Sequence, residues 1–99
     1  MTGVRHVAML RWHDTTDAAV RDTIVEEIRA LPSLVPSIRR YTVGTDAGIN
    51  EGNHDVVIVA DFDDIAGYLE YRDHPEHQRV IRDHVTPNLA ARAAVQHHR

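Results

Sequence analysis

Side chains that alternate between two faces mark four short stretches of the chain as β-strands. In the first strand, His6, Ala8 and Leu10 share one face. The third strand is the strongest of the four, and its centre is apolar on both faces. Because inner strands are the ones covered on both faces, we expect it to lie inside the sheet. The four predicted strands cover residues 5–12, 38–47, 54–62 and 89–98.

An apolar stripe between the first two strands predicts an amphipathic helix. The stripe consists of Val20, Ile24, Ile28 and Leu31, which recur at spacings of three and four. Thr15 or Thr16 is expected to cap the start of this helix. Pro32 and Pro36 are expected to end it, because proline cannot continue a regular helix.

A pair of helices is predicted between the third and fourth strands. The first begins near Asp63 or Asp64. The second is capped by Asp73 or His74 and has Pro75 at its first position, where a missing N–H costs nothing. We expect this second helix to continue until a proline break just ahead of the last strand.

The order of elements predicts an α+β, ferredoxin-like βαββαβ chain. A length of 99 residues indicates one domain, spanning residues 1–99. The helices are expected to cover one face of a four-stranded antiparallel sheet. The other face would expose apolar side chains, so we expect a second copy of the chain to cover it in a homodimer. Those side chains are Val7, Met9, Val57 and Val59.

Composition narrows the classes of function. The net charge is -4 and the arginines are scattered, so no basic surface for nucleic acid is expected. The chain has no cysteine, which excludes disulfides and thiolate metal sites. No apolar run approaches the roughly 20 residues of a membrane span, and the N-terminus has no signal-peptide core. We therefore expect a cytoplasmic protein that binds neither nucleic acid nor membranes.

The chain contains eight histidines, and the stretch YRDHPEH, residues 71–77, places two of them beside a tyrosine. Histidine titrates near neutrality, so such a group can transfer protons. His74 and His77 also have the close spacing of zinc ligands. Zinc needs three or four ligands, however, and beyond His6 or His54 no third one is evident. We therefore expect neither a metal nor a cofactor.

Five segments of the chain resemble the stress-responsive A/B barrel family, also called Dabb domains. The most specific of them is Tyr71 followed by the pattern His-Pro-x-His, which reads HPEH here. The resemblance implies a ferredoxin-like chain that dimerises sheet to sheet into a dimeric α+β barrel. The segments are RHVAMLRW, ALPSLVPSIRRYTVGTD, HDVVIVADFDD, YRDHPEHQRV and TPNLAARAAVQ.

The chain is similar to a plant polyketide cyclase of this family at three pocket positions, His6, Tyr71 and His77. The resemblance implies that His77 is a general base, that Tyr71 polarises a carbonyl and that His6 assists. The cyclase has another pocket histidine on its third strand, where this chain has Val56, and His54 lies two residues earlier on the same face. The substrate-binding residues expected around the pocket are Ala8, Leu10, Ile24, Ile28, His54, Ile58 and Ile81.

The resemblance leaves different functions open. In the first, each subunit of a homodimer binds a small apolar carbonyl compound and performs cofactor-free enolate chemistry, such as aldol cyclisation of a polyketide. In the second, the protein is a non-catalytic, stress-associated dimer in which His77 bonds to Tyr71 and fixes the junction between two helices. A third and weaker hypothesis is a relative of cofactor-free monooxygenases that share the dimeric barrel. An open cavity would favour a ligand, whereas a space filled by isoleucines would favour the structural role.

Overall fold

The structure is a computed structural model that describes residues 3–99, and within them it contains four strands and three α-helices. The strands are β1 (Val4–Trp12), β2 (Arg40–Thr45), β3 (Val56–Phe62) and β4 (Leu89–His98). The helices are α1 (Ala18–Arg29), α2 (Ile65–Asp73) and α3 (Pro75–Val80). Their order along the chain is β1, α1, β2, β3, α2, α3, β4, which confirms the predicted ferredoxin-like arrangement.

The four strands form one antiparallel sheet in the order β2-β3-β1-β4. The prediction that the third strand lies inside the sheet is confirmed, and β1 is the other inner strand. β4 therefore lies at an edge of the sheet, next to β1 alone. That edge position leaves its outer side open to solvent.

The start of α1 differs from the prediction, because the cap is Asp17 and neither Thr15 nor Thr16. The Asp17 side chain accepts a hydrogen bond from the Val20 N–H at 3.0 Å. A carboxylate is a good cap because the first N–H groups of a helix have no partner within it and carry partial positive charge. The predicted start of α2 near Asp63 or Asp64 is confirmed, and Asp64 is its cap.

The junction between α2 and α3 is built by His74 and Pro75. The His74 ring accepts a hydrogen bond from the Glu76 N–H at 3.1 Å through Nδ1, and Pro75 fills the first helical position, both as predicted. The predicted continuation of this helix is wrong in detail. After Val80 the backbone widens into a π-helical turn over Ile81–Val85, and a 3-10 turn leads into β4. Such wide turns redirect side chains, and they are often found beside functional sites.

The hydrophobic core fills the space between the helices and one face of the sheet. Its largest fully buried side chains are Trp12, Phe62, Ile24, Leu31, Val35 and Val80. Side chains on the opposite face of the sheet are only partly covered. Met9 there is 41% exposed and Val95 is 55% exposed. The helices thus cover one face alone, as the alternation of the strands predicts.

No helix in residues 3–99 combines the length and the apolar character needed to cross a membrane.

Candidate functional site

A pocket with a volume of about 290 Å³ lies between the sheet and the helices. Its walls are mainly apolar, and its polar groups come from α2, α3, the sheet and the 3-10 turn before β4. The apolar wall comprises Ala8, Leu10, Ile28, Leu31, Ile58, Val80, Ile81, Val85 and Leu89. The polar lining comprises His6, Tyr41, Tyr68, Tyr71, Arg72, His77, Gln78, Thr86 and Arg92. An apolar cavity with a few convergent polar groups is typical of small-molecule sites.

Eight of the ten residues expected at the site line this pocket, and the two others lie elsewhere. Ile24 is buried in the core one helical turn before Ile28, beyond the end of the cavity. His54 lies in the loop before β3, near Met9 and Val57 on the opposite side of the sheet. β3 begins at Val56, so His54 lies outside the strand and the alternation of side chains along β3 does not place it on the pocket face. The eight lining residues are His6, Ala8, Leu10, Ile28, Ile58, Tyr71, His77 and Ile81.

Tyr71 and His77 lie against each other at the junction of α2 and α3. Their ring centroids are 4.1 Å apart with an angle of 34° between the ring planes, and Tyr71 is only 2% exposed. Within residues 3–99 the His77 ring bonds to the Arg72 carbonyl oxygen at 3.0 Å, through Nδ1, and not to Tyr71. The expectation that His77 bonds to Tyr71 is thus replaced by a stacking contact.

The hydrogen bond to Arg72 determines which nitrogen of His77 carries the proton. A carbonyl oxygen can only accept, so Nδ1 must donate, and in the neutral ring Nε2 then keeps its lone pair. Burial lowers the pKa of His77 below its usual value of 6.5, while the bond to the Arg72 carbonyl opposes that effect. At neutral pH the ring is therefore uncharged, with a basic nitrogen at Nε2.

His6 has the opposite arrangement of its ring nitrogens. It is 4% exposed, and its Nδ1 lies 2.8 Å from the side-chain amide nitrogen of Gln96. An amide nitrogen only donates, so Nδ1 accepts and Nε2 of the neutral ring carries the hydrogen. Burial lowers the pKa of His6 to about 4, with further contributions from Arg92 and His77. His6 is therefore a neutral donor at the same pH at which His77 is a base.

Two tyrosine hydroxyls add further donors to the pocket. Burial raises the pKa of both Tyr71 and Tyr41, so both remain protonated at neutral pH. The Tyr41 hydroxyl is inaccessible to solvent, and within residues 3–99 it makes no hydrogen bond of regular geometry. It nevertheless interacts with the Tyr71 hydroxyl closely enough to raise its own pKa further and to counteract part of the rise in the pKa of Tyr71. The two hydroxyls therefore form a polar pair within the pocket lining.

Seven polar residues at or beside the pocket are absent from the predicted site: Tyr41, Tyr68, Arg72, Gln78, Thr86, Arg92 and Gln96. The alternation of side chains along β4 could have indicated two of these residues, Arg92 and Gln96. Arg92 pairs with Leu10 and Gln96 pairs with His6 across the β1–β4 ladder, so both share the face of the predicted pocket residues. That register depends on how the strands pair, which the sequence of β4 alone does not specify.

His74 and His77 have the close spacing of zinc ligands. In the described part of the chain, no group of three or more histidine, aspartate or glutamate side chains is arranged to hold a metal ion. His74 instead uses its ring nitrogen to cap α3.

The model of the stress responsive A/B barrel domain family, Dabb, matches residues 4–97. The chain belongs to this family. A dimeric ferredoxin-like protein of unknown function from Thermobifida fusca is 36% identical to this Dabb protein. The match covers 99% of this chain and 92% of that one, with a TM-score of 0.90. No curated protein has a matching sequence.

Two further solved structures share the Dabb fold at lower identity. A dimeric protein of unknown function from Bacteroides fragilis is 24% identical, covers 98% of this chain and 96% of that one, and has a TM-score of 0.84. Hydroxynitrile lyase from Passiflora edulis is 17% identical, with 97% and 92% coverage and a TM-score of 0.85. At these identities the likeness shows the fold alone.

Proposed function

We propose that this Dabb protein is a homodimer that binds a small apolar carbonyl compound and transfers a proton next to its carbonyl group. The observation that supports this most is the pairing of opposite roles in one cavity. His77 offers an unprotonated Nε2, whereas His6 and Tyr71 offer hydrogens. A base and two donors that converge on one apolar space are what enolate chemistry requires.

In the proposed reaction, Nε2 of His77 removes a proton from the carbon next to the carbonyl. Negative charge then develops on the carbonyl oxygen, and the Tyr71 hydroxyl donates a hydrogen bond to it. His6 assists through its Nε2–H, and Gln96 holds that ring in the required tautomer. The resulting enolate attacks a second carbonyl of the same molecule in an aldol cyclisation, and the proton returns from His77. No cofactor takes part in these steps.

The size and lining of the pocket support a small ligand. A volume of about 290 Å³ is at the lower end of ligand pockets, which start near 300 Å³. The apolar side chains around it favour a ring or a short chain, and the few polar groups orient its oxygens.

The proposed dimer rests on the uncovered face of the sheet. Val95, Val7 and Val59 lie side by side across β4, β1 and β3 on that face. The Thermobifida fusca and Bacteroides fragilis relatives are both described as dimeric. A second copy of this Dabb chain would bury the valine row and complete an α+β barrel. We place this dimer in the cytoplasm.

A non-catalytic role, as in a stress-associated dimer, is favoured by one observation at the helix junction. The Arg72 carbonyl accepts from both the His77 ring, at 3.0 Å, and the Gln78 side-chain amide, at 2.6 Å. These bonds join the end of α2 to α3 without any ligand. If His77 serves only to join the two helices, no reaction takes place in the cavity, and Tyr71 contributes only the packing of its ring.

The test measures proton exchange in a simple ketone. Full-length protein is incubated with benzylacetone in D2O, and deuterium uptake next to the carbonyl is followed by proton NMR, together with the ring resonances of His77. We expect catalysed uptake and a ligand-induced shift of the His77 signals. General acid–base catalysis contributes at least about 100-fold, so His77→Gln should reduce the uptake by about that factor.

Tyr71→Phe keeps the buried ring but removes the hydroxyl, and should slow uptake while leaving benzylacetone bound. His54→Gln is the matched control, because His54 lies outside the pocket, and it should retain full uptake. A His77 signal that ignores the ligand, no uptake above buffer, and a Tyr71→Phe variant that only loses about 1 kcal/mol of stability would support the structural role instead.

A further inference from the structure

We propose that Arg92 forms an anion subsite at the edge of the pocket, so that the small apolar carbonyl compound bound there also carries a carboxylate. The inference rests on the proposed function, because it names the chemical class of the ligand that the same pocket takes. It goes beyond that function by assigning a ligand-binding role to β4, which otherwise serves the site only through the contact of Gln96 with His6.

The first support is the position of Arg92. It lies opposite Leu10 in the β1–β4 ladder, on the face of the sheet that carries His6 and Gln96. The side chain lines the pocket, yet it remains exposed to solvent because β4 is an edge strand. A long guanidinium side chain at this place lies at the border between the apolar cavity and water.

The second support is the absence of a protein partner. Arg92 makes no hydrogen bond or ion pair with any residue in the range 3–99. Arg72, the other arginine in the pocket lining, pairs instead with Asp73 at 2.8 Å. Among the residues of the range 3–99 that line the pocket, none is aspartate or glutamate. The guanidinium is thus available to a ligand, and its planar fork of donors fits a carboxylate in a bidentate manner.

The third support is electrostatic. The charge of Arg92 lowers the pKa of His6 and of His77, in both cases in addition to the larger effect of burial. The same charge counteracts the rise that burial causes in the pKa of Tyr71. Arg92 therefore acts on all three proposed catalytic groups, and an anion bound to it would lie beside them.

These observations define the shape of the ligand. One end is an apolar ring or short chain that fits a cavity of about 290 Å³, and the other end is a carboxylate at Arg92. A neutral compound of the same size would leave the guanidinium with only water as a partner. Discrimination between an acid and its neutral analogue is therefore the property to measure.

The experiment compares para-propylbenzoate with para-propylbenzamide, which differ in charge and hardly in shape. Affinities for the full-length protein are measured by NMR titration, with His77 as the reporter. We expect the carboxylate to bind about tenfold more tightly than the amide, as one charge-assisted pair at a partly exposed site provides. Arg92→Gln should remove this preference by weakening the binding of the carboxylate about tenfold.

Arg82→Gln is the control for net charge. Arg82 pairs with Asp83 on the surface and is not part of the pocket lining, so the preference should persist. Raising the salt concentration should reduce the preference in the unchanged protein, because the guanidinium is exposed.

Two results overturn the proposal in distinguishable ways. If both compounds shift the His77 signals with equal affinity, or if Arg92→Gln weakens both alike, the pocket binds ligands but has no anion subsite. If neither these compounds nor benzylacetone shifts the His77 signals, the proposed function fails, and the subsite fails with it.

Discussion

At the scale of single residues, hydrogen bonds from the surrounding chain assign different chemistry to two histidines. His6 and His77 are both neutral because burial disfavours their charged forms. Gln96 donates to one ring, and the Arg72 carbonyl accepts from the other, so the free Nε2 is a donor in His6 and an acceptor in His77. Replacing Gln96 should therefore change which ring nitrogen of His6 carries the hydrogen, without removing His6 itself.

Neutral buried histidines also make stability depend on pH. In the unfolded chain His6 takes up a proton near its usual pKa of 6.5, whereas in the folded chain its pKa is about 4. Between these values the unfolded state binds more protons, so acidification favours unfolding. We expect the free energy of unfolding to decrease by about 2 kcal/mol from pH 6.5 to pH 4, after allowance for solvent that reaches the pocket.

The measurement is urea denaturation at a fixed protein concentration, because a dimer's stability depends on concentration. His6→Gln should flatten the pH dependence between these limits, and His6→Asn serves if the longer amide does not fit. His54→Gln should keep the dependence of the unchanged protein. If the free energy of unfolding depends on pH as steeply in the His6 variants as in the unchanged protein, the burial of His6 does not cause the pH dependence.

The sequence indicated the single residues of the site only in part. Tyr71 and His77 stand out in the stretch YRDHPEH, and the resemblance to a plant polyketide cyclase of the Dabb family added His6 to the predicted site. Tyr41 and Arg92 were not, because an arginine or tyrosine on a strand is ordinary until the register places it beside a cavity. The proton positions on the rings also depend on partners that are distant in sequence, such as Gln96 for His6.

At the scale of elements, the stretch HPEH has a structural purpose that is separate from the pocket. His74 accepts from the Glu76 N–H through Nδ1 and so caps α3. His74→Ala should destabilise the protein by about 1 kcal/mol, the usual cost of losing a cap. His74→Asn should restore most of that loss, because its side-chain oxygen can accept the same bond. Chemical denaturation measures both.

Binding of benzylacetone should be unchanged in the asparagine variant, which separates the cap from the proposed catalytic group. If asparagine destabilises as much as alanine, the ring of His74 contributes through packing rather than through the cap. If neither variant differs from the unchanged protein, the cap contributes nothing measurable.

Strand elements were easier to predict than the ends of helices. Alternation identified the buried face of β1, because a one-residue error would place every apolar side chain in water. Apolar residues on both faces of β3 identified its inner position. The cap of α1 was misplaced because Thr15, Thr16 and Asp17 are all good caps in sequence. The π-helical turn over Ile81–Val85 has no local signal in the sequence, although Ile81 and Val85 within it line the pocket.

At the scale of the whole molecule, the sheet separates two tasks. One face and the helices enclose the pocket, and the other face holds a valine row with charged residues at one end. Arg5 and Asp61 form a bidentate ion pair there at 2.8 and 3.0 Å, and Asp61 is 2% exposed. An apolar centre beside a polar edge is the usual composition of a protein interface. The sequence predicted this division, but whether the pocket stays open depends on a few methylene groups, which only packing determines.

The valine row leads to a prediction about assembly. We expect the unchanged protein to be a dimer and Val59→Asp to convert it into a monomer, as measured by light scattering coupled to size exclusion. Val59 lies between Val7 and Thr42 in the sheet, on the uncovered face. Two-fold symmetry would place two carboxylates in the interface without partners, each costing about 3 kcal/mol or more.

Val20→Asp is the matched control, because Val20 is exposed on α1, away from the sheet, and this variant should remain dimeric. A dimeric Val59→Asp protein would show that the subunits pair through another surface. A monomeric unchanged protein would show that the sheet face stays open to solvent. The residues that line the pocket belong to one chain, so a folded Val59→Asp monomer should still bind para-propylbenzoate. Binding by the monomer would show that each subunit contains a complete ligand site and that dimerisation contributes to stability rather than to binding.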